Sequence, residues 1–342
     1  MLGPSVRRLE HRGHRVAYAV HGNGPPLLCD LGRLHHLDVF WRHPGYRRLV
    51  ERLAQEFSVI RLDRPGCGMS DRSSADFTVP AEVELFDHLL DHLGLEQVAV
   101  FASGTSSQVM LAVAALRPER ISRLVLLGAR ASPHPETDAQ YPPLRALLET
   151  EPRLAIRIVA QTTAAGGAET TVDWLADAYT RAVSGDVMRQ FLDESVWLDV
   201  RELLERVCCP TLVLHRREDR LADLSASREV AAGIPGAILL PLDGASGLPW
   251  EPDLDALLKP LAGFLKPDLH TRLPGPLMLT PREQEVARMV AQGLTNAQIA
   301  ERLGIGRRTA ESHIQHVRNR LGLSSRAELA AWSAVSLGEA AG

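Results

Sequence analysis

The chain has 342 residues, 45% of them hydrophobic, so it can bury one large and one small core. Its formal net charge is −4, which excludes a uniformly basic nucleic-acid binder. No apolar run approaches the roughly 18 residues of a spanning helix, and no apolar stretch of a signal peptide follows the N-terminus, so a cytoplasmic protein without membrane contact is expected.

In chain order, strands are expected at Val16–Val20, Pro26–Leu31, Ser58–Leu62, Gln97–Ala102, Leu124–Gly128, Pro210–His215 and Ala237–Leu242. Several are unbroken apolar runs, as for strands covered on both faces of a parallel sheet. Helical stretches at Tyr46–Gln55, Val83–Leu93 and Ser107–Leu116 separate them, which is the pattern of a doubly wound α/β domain. From about 131 to 206 strand signals stop and amphipathic helices take over, a helical cap over one end of the sheet. A last helix, Leu254–Leu265, closes a domain spanning 1–266. Residues 267–277, interrupted by prolines and a glycine, read as a linker. The four cysteines include no CxxC spacing, and the adjacent pair Cys208-Cys209 is awkward as a disulfide, so neither a metal site nor a cofactor is expected.

The remaining segment, 278–342, has its own charge balance. From Leu279 onward there are eight arginines and six glutamates, a net +2 that leaves −6 on the rest. Helix starts are written as capping boxes at Thr280-Pro281-Arg282-Glu283, Thr295-Asn296-Ala297-Gln298 and Ser325-Arg326-Ala327-Glu328, where the hydroxyl and the third-position side chain satisfy free backbone N–H groups. Gly304-Ile305-Gly306 forms a tight turn between two helices. Apolar stripes at Val286/Met289/Val290, Ile299/Ala300/Leu303 and Ala310/Ile314/Val317/Leu321 give a small all-α four-helix core. On the helix Arg307–Leu321 the opposite face carries Arg308, Ser312, Gln315 and Asn319, flanked by Glu311 and His316, side chains able to reach base edges. Arg307, Thr309, Arg318 and Arg320 are placed to hold phosphates or the groove wall. Spacing alone leaves open a helical interaction domain whose polar face is only solvated.

The stretches Leu279-Thr280-Pro281-Arg282-Glu283, Gly293-Leu294-Thr295-Asn296 through Leu303-Gly304-Ile305, and Thr309-Ala310-Glu311-Ser312-His313 through Leu321-Gly322 resemble the LuxR-type (GerE/NarL-like) helix-turn-helix without a gap. The resemblance implies binding of double-stranded DNA, with the third helix in the major groove and the fourth pairing two copies as a homodimer. It puts Glu311, Ser312 and Gln315 where the family reads bases. Glu311 stands where the family often has lysine, which implies weaker non-specific affinity.

Residues 12–266 resemble the α/β-hydrolase superfamily. The carriers are the turn from Asp63 through Gly66, Gly68 and Ser70 to Asp71, the stretch Arg117-Pro118-Glu119-Arg120 before Leu124–Gly128, the run Pro210 to His215, and Leu31-Gly32 at the place of the oxyanion loop. Pro65 departs from the family's turn. Leu34–Trp41 is closest to hydrolase domains fused to nucleotide cyclases or regulators. The resemblance implies a serine on the strand-to-helix elbow, then an acid, then a histidine. In register, those positions are Gly104, Asp219 and Gly247. Glycine supplies neither nucleophile nor base, so a non-catalytic domain is expected. The alternative is an active serine hydrolase or esterase fused to a DNA-binding module. It would need Ser103 after a one-residue shift, or Ser106 from the helix start, with His35 or His36 as base. A third possibility is that the fold serves only dimerisation.

Two missing side chains enlarge the pocket and make it less polar, which suits a small, mostly apolar ligand. Leu31, Gly32, Arg33, Ser103, Gly104, Thr105, Gly247 and Leu248 are expected to border it, with Trp174 and Trp197 reaching in from the cap. Arg33 is placed to hold a carboxylate or carbonyl, although a loop arginine is more commonly exposed. The combined expectation is an α/β-hydrolase fold with a helical cap that senses a small molecule and governs a helix-turn-helix DNA-binding domain.

Overall fold

The apolar runs of the first three quarters of the chain assemble into one sheet. Its strands are β1 (Arg7–His11), β2 (His14–His21), β3 (Pro26–Asp30), β4 (Ser58–Asp63), β5 (Val98–Ser103), β6 (Ile121–Leu127), β7 (Thr211–Arg216) and β8 (Ile238–Leu242), in the spatial order β1-β2-β4-β3-β5-β6-β7-β8. The structure is a computed structural model. It describes residues 6–73, 75–133, 137–164, 167–219, 223–251, 253–266, 281–321 and 325–336. The expected linker, 267–277, and the cap residue Thr280 lie outside them. The chain divides into two compact units, Met1–Thr271 and Arg272–Gly342.

From β4 to β8 every pairing is parallel, and most of the strand side chains are buried, β8 at the edge least so. β1 pairs antiparallel with β2 through the tight turn at Arg12-Gly13. Its polar sequence, with only Leu9 and His11 turned inward, hid it from the apolar-run criterion. Helices α1 (Leu37–Arg42), α2 (Pro44–Ala54), α3 (Val79–His92) and α4 (Thr105–Leu116) fill the connections among the first six strands. α4 is buried from Ser106 to Ala115, because its composition is apolar on all sides, and it packs beside α3, β5 and β6. After β6 the chain forms the cap: α5 (Thr137–Thr150), α6 (Pro152–Thr163), α7 (Glu169–Ala182) and α8 (Gly185–Ser195), then a 3-10 turn at Arg201–Arg206. α9 (Leu224–Gly233) and α10 (Leu254–Leu265) complete the unit.

The second unit contains α11 (Pro281–Ala291), α12 (Asn296–Leu303), α13 (Arg307–Leu321) and α14 (Arg326–Ser336). Its core joins Val286, Met289 and Val290 of α11 to Ile299, Ala310, Ile314, Val317 and Leu329. The Thr295 capping box is formed: Thr295 N–H donates to Gln298 Oε1 at 2.8 Å, and Gln298 N–H donates to Thr295 Oγ1 at 3.4 Å. Glu328 N–H donates to Ser325 Oγ at 3.1 Å, starting α14. Arg326 then ties α14 to the turn before α12, donating to Asn296 Oδ1 at 2.8 Å and to the Leu294 carbonyl.

Candidate ligand cavity and DNA-reading helix

Parallel pairing of β3, β5 and β6 brings the loops after their carboxyl ends together, which is where open α/β sheets bind ligands. A cavity of about 620 Å³ lies there, floored by those loops and by the loop after β8, and roofed by α5, α6, α7 and α8. Leu31, Gly32, Arg33, Ser103, Gly104, Thr105, Gly247 and Leu248 all line it. Most of the remaining wall is apolar, with Leu34, Phe40, Leu144, Leu175, Phe191 and Trp250 among it. No histidine, aspartate, glutamate or cysteine is among the lining residues described.

Gly104 sits at the turn from β5 into α4 with φ 56° and ψ −128°. That backbone conformation is costly for a residue with Cβ, and hydrolases accept the cost to expose a nucleophile there. A Cβ on Gly104 would have nothing within 4 Å, so the elbow aims an absent side chain into open space. Ser103, one residue earlier, ends β5 and is buried against the cavity. Ser106 is fully buried and donates to Asp30 Oδ1 at 2.9 Å, so it does not line the cavity. Asp219 follows β7 near Gly128, whose added Cβ would lie 3.4 Å from Asp219 Oδ2, and it too is off the cavity wall.

Neither histidine considered as a base reaches the cavity. His35 is clamped between Asp63 Oδ1 at 2.7 Å from Nδ1 and the Tyr46 hydroxyl at 2.9 Å from Nε2. His36 caps α1, its Nδ1 accepting from Val39 N–H at 3.3 Å. Both are absent from the lining. The cap tryptophans also depart from expectation. Trp197 is 45% exposed and touches the edge of Tyr141, while Trp174 packs on Phe40 and His43; neither lines the cavity, and Trp250 takes the aromatic place instead. The burial of Cys29 and Cys67 pushes each thiol up to about 12, so neither supplies a thiolate at neutral pH.

Arg33, expected as an exposed or ligand-holding arginine, is 1% exposed. It ends a buried ionic chain. Ser106 donates to Asp30; Arg64 forks onto both Asp30 oxygens at 3.1 and 2.7 Å; Arg64 Nε meets Glu82 at 2.7 Å. Arg33 Nε then donates to Glu82 Oε1 at 3.0 Å, its Nη1 to Ser195 Oγ of α8 at 2.7 Å, and its Nη2 to the Phe77 carbonyl. The chain therefore runs from beneath the elbow to the cap. Burial alone would raise the Asp30 carboxyl, but Arg64 and the Ser106 hydroxyl hold it below the usual carboxylate range. Burial lowers the Arg33 guanidinium, and Glu82 opposes that. The turn after β4 is a second buried knot: Asp63 accepts from Leu37 N–H and Met69 N–H, and Gly68 must be glycine because a Cβ there would fall 2.2 Å from Asp63 Oδ2.

Sequence reasoning missed Glu82 and Asp30 as partners, and Arg130 as a lining residue. Arg130's only local signal was its place just after β6, at the same edge as the elbow.

On α13 the two faces separate as expected. Ala310, Ile314 and Val317 are buried, while Arg307, Arg308, Thr309, Glu311, Ser312 and Gln315 are exposed and Arg318 is half-buried. Glu311 pairs with Arg307 at 3.2 Å, and Gln315 Oε1 accepts from Arg318 at 3.4 Å. The side chains of His316 and Asn319 lie outside those described. Gly304, in the left-handed region at φ 63°, ends α12 and turns the chain into α13.

Comparison with known proteins matches each unit separately. The family described as "Bacterial regulatory proteins, luxR family" matches residues 277–333, and "alpha/beta hydrolase fold" matches 25–175. A protein of Caulobacter sp. (strain K31) named "Putative carbamate hydrolase RutD" is 31% identical over 202 residues, covering 56% of this chain and 74% of the relative. The nitrate/nitrite response regulator NarL of Escherichia coli (strain K12) is 38% identical over 78 residues, 23% of this chain and 36% of that protein. Among solved structures, the enol-lactonase from Burkholderia xenovorans LB400 superposes with a TM-score of 0.66 at 21% identity, over 76% of this chain and 100% of that one.

Proposed function

Because this chain belongs to the α/β-hydrolase fold family and carries a LuxR-family DNA-binding domain, we propose that it is a transcription regulator whose hydrolase-fold domain senses a small, mostly apolar molecule without turning it over. The observation that carries this reading is the cavity floor. At the elbow stands Gly104, Gly247 lies on the same wall, and the described lining holds Ser103 and Thr105 but no imidazole or carboxylate to activate them. A bare elbow in an unfilled cavity favours binding over chemistry, and it weighs against a fold kept only as a dimerisation scaffold.

The ligand acts on DNA affinity only through a difference in its affinity for two states of the protein. In this reading α13 enters the major groove, Gln315 and Ser312 meet base edges, and Arg307 and Arg308 meet phosphate or guanine. The protein binds a two-fold site as a homodimer. Native mass spectrometry of the purified full chain tests the sensor: a stoichiometric small molecule retained by the protein is the expected result. Turnover of p-nitrophenyl esters that disappears in Ser103→Ala would replace it by the serine-hydrolase reading, to which the position of Ser103 on the cavity wall gives its one support.

A further inference from the structure

Two arginines line the cavity, and their charges are treated differently. Arg33 is neutralised by Glu82 and has its donors directed into the buried chain. Arg130 has no carboxylate partner among the described residues. Its one hydrogen bond there runs from Nε to Gln108 Oε1 at 3.3 Å. Gln108 is itself fixed, because its Nε2 donates to the Leu198 carbonyl at 3.0 Å and to the Ser132 carbonyl at 3.4 Å. The guanidinium is thus held in place through one edge, and among the described residues its other donors have no partner at the cavity wall. A half-buried cation without a counter-charge among the described residues is costly to keep, and burial pulls Arg130 below the ordinary arginine value. Arginine nevertheless remains charged at neutral pH.

The rest of the site points the same way. Gly104, at the N-cap of α4, offers no side-chain cap, so the positive end of a buried helix faces the same space as Arg130. No carboxylate on the described lining competes for either group, and the remaining wall is largely apolar. On the reading of the cavity as a ligand sensor, we infer that its ligand is a monocarboxylate with an apolar body, anchored by Arg130 and with its tail under the cap helices. Arg33 positions the wall and does not meet the ligand's charge.

Calorimetric titration of the full chain with octanoate and with 1-octanol at pH 8 tests this, since the carboxylate is fully ionised there. The wild type is expected to bind octanoate about tenfold more tightly than octanol, the scale of a charge-assisted hydrogen-bonded pair. Arg130→Gln is expected to remove that preference by weakening octanoate far more than octanol, with an unchanged urea unfolding midpoint as the control for folding. Arg130→Lys is expected to retain part of the preference. Equal binding of the two probes by the wild type overturns the inference and leaves a sensor of neutral molecules. A preference for octanoate that survives in Arg130→Gln also overturns it, by placing the anion elsewhere. Binding of neither probe overturns the inference and removes support from the sensor reading as well.

Discussion

The floor of the cavity and the ionic chain beneath it carry opposite kinds of residue. At the floor, the described lining carries Gly104 and Gly247 and holds no imidazole or carboxylate. Beneath it, Asp30, Arg64, Glu82 and Arg33 are all buried and hydrogen-bonded into one chain. The difference separates two kinds of polar residue. A group that serves only chemistry can be lost without unfolding the domain, whereas a buried charge cannot lose its partner without leaving another charge stranded.

The comparison can be broken or sharpened at four places. The largest effect is expected from Glu82→Gln, which leaves Arg33 and Arg64 short of a shared carboxylate. Breaking such a buried network costs about 3–5 kcal/mol, to be read from urea unfolding of the full chain. A loss under about 1 kcal/mol would show that the chain is not what holds the elbow to the cap.

Asp30→Asn should cost somewhat less, about 2–3 kcal/mol at neutral pH, because Arg64 keeps Glu82. Its pH dependence follows from the direction of the shift. A carboxyl held below its ordinary value contributes fully above the unfolded-state value, near about 4, and loses that contribution as pH falls through the folded value. Melting temperatures of wild type and Asp30→Asn should therefore differ most at pH 6–7 and converge as pH drops below about 4. A constant difference across that range would contradict the assignment.

In the second domain, Gln315 is exposed and Arg318 half-buried at the surface of α13, so their removal is expected to cost binding more than stability. On a site selected from random DNA, Gln315→Ala is expected to lose about 1–3 kcal/mol and to lose less on non-specific DNA. Arg318→Ala should weaken both similarly and reduce the salt dependence. Equal losses on both DNAs for Gln315→Ala would remove it from base reading.

The smallest effect is expected from Gly104→Ser. The new side chain enters open space, but the positive φ costs about 1–2 kcal/mol of stability. The variant is expected to show no turnover of p-nitrophenyl esters, because no histidine is among the described residues of the wall. Turnover by that single variant would show that the cavity had kept a base.

Legibility in the sequence tracked how local each feature is. β2 to β8 are short apolar runs bounded by turn residues, and seven expected strands fall on them within a few residues. α10 spans the expected Leu254–Leu265 because a capping Asp253 and an apolar stripe mark it. The alternation in β1 was too short and too polar to stand out, and α1 is only six residues long. At the site, the loops after β3, β5 and β8 were foreseen as cavity walls, since register with the hydrolase superfamily locates them. Trp197 was not rightly placed, because which face of the cap points inward depends on how α5 and α8 pack together.

By itself the sequence determined the periodic elements, the glycine at the turn from β5 into α4 and the two faces of α13, because each is a property of neighbouring residues. Tertiary structure alone decided the rest. It brought Arg33 to Glu82, 49 residues away, and to Ser195, 162 residues away, and it left Arg130 facing the cavity without a carboxylate partner among the described residues. The physical reason is that whether a charge is neutralised depends on which distant segments the sheet order brings together, and no local pattern encodes that.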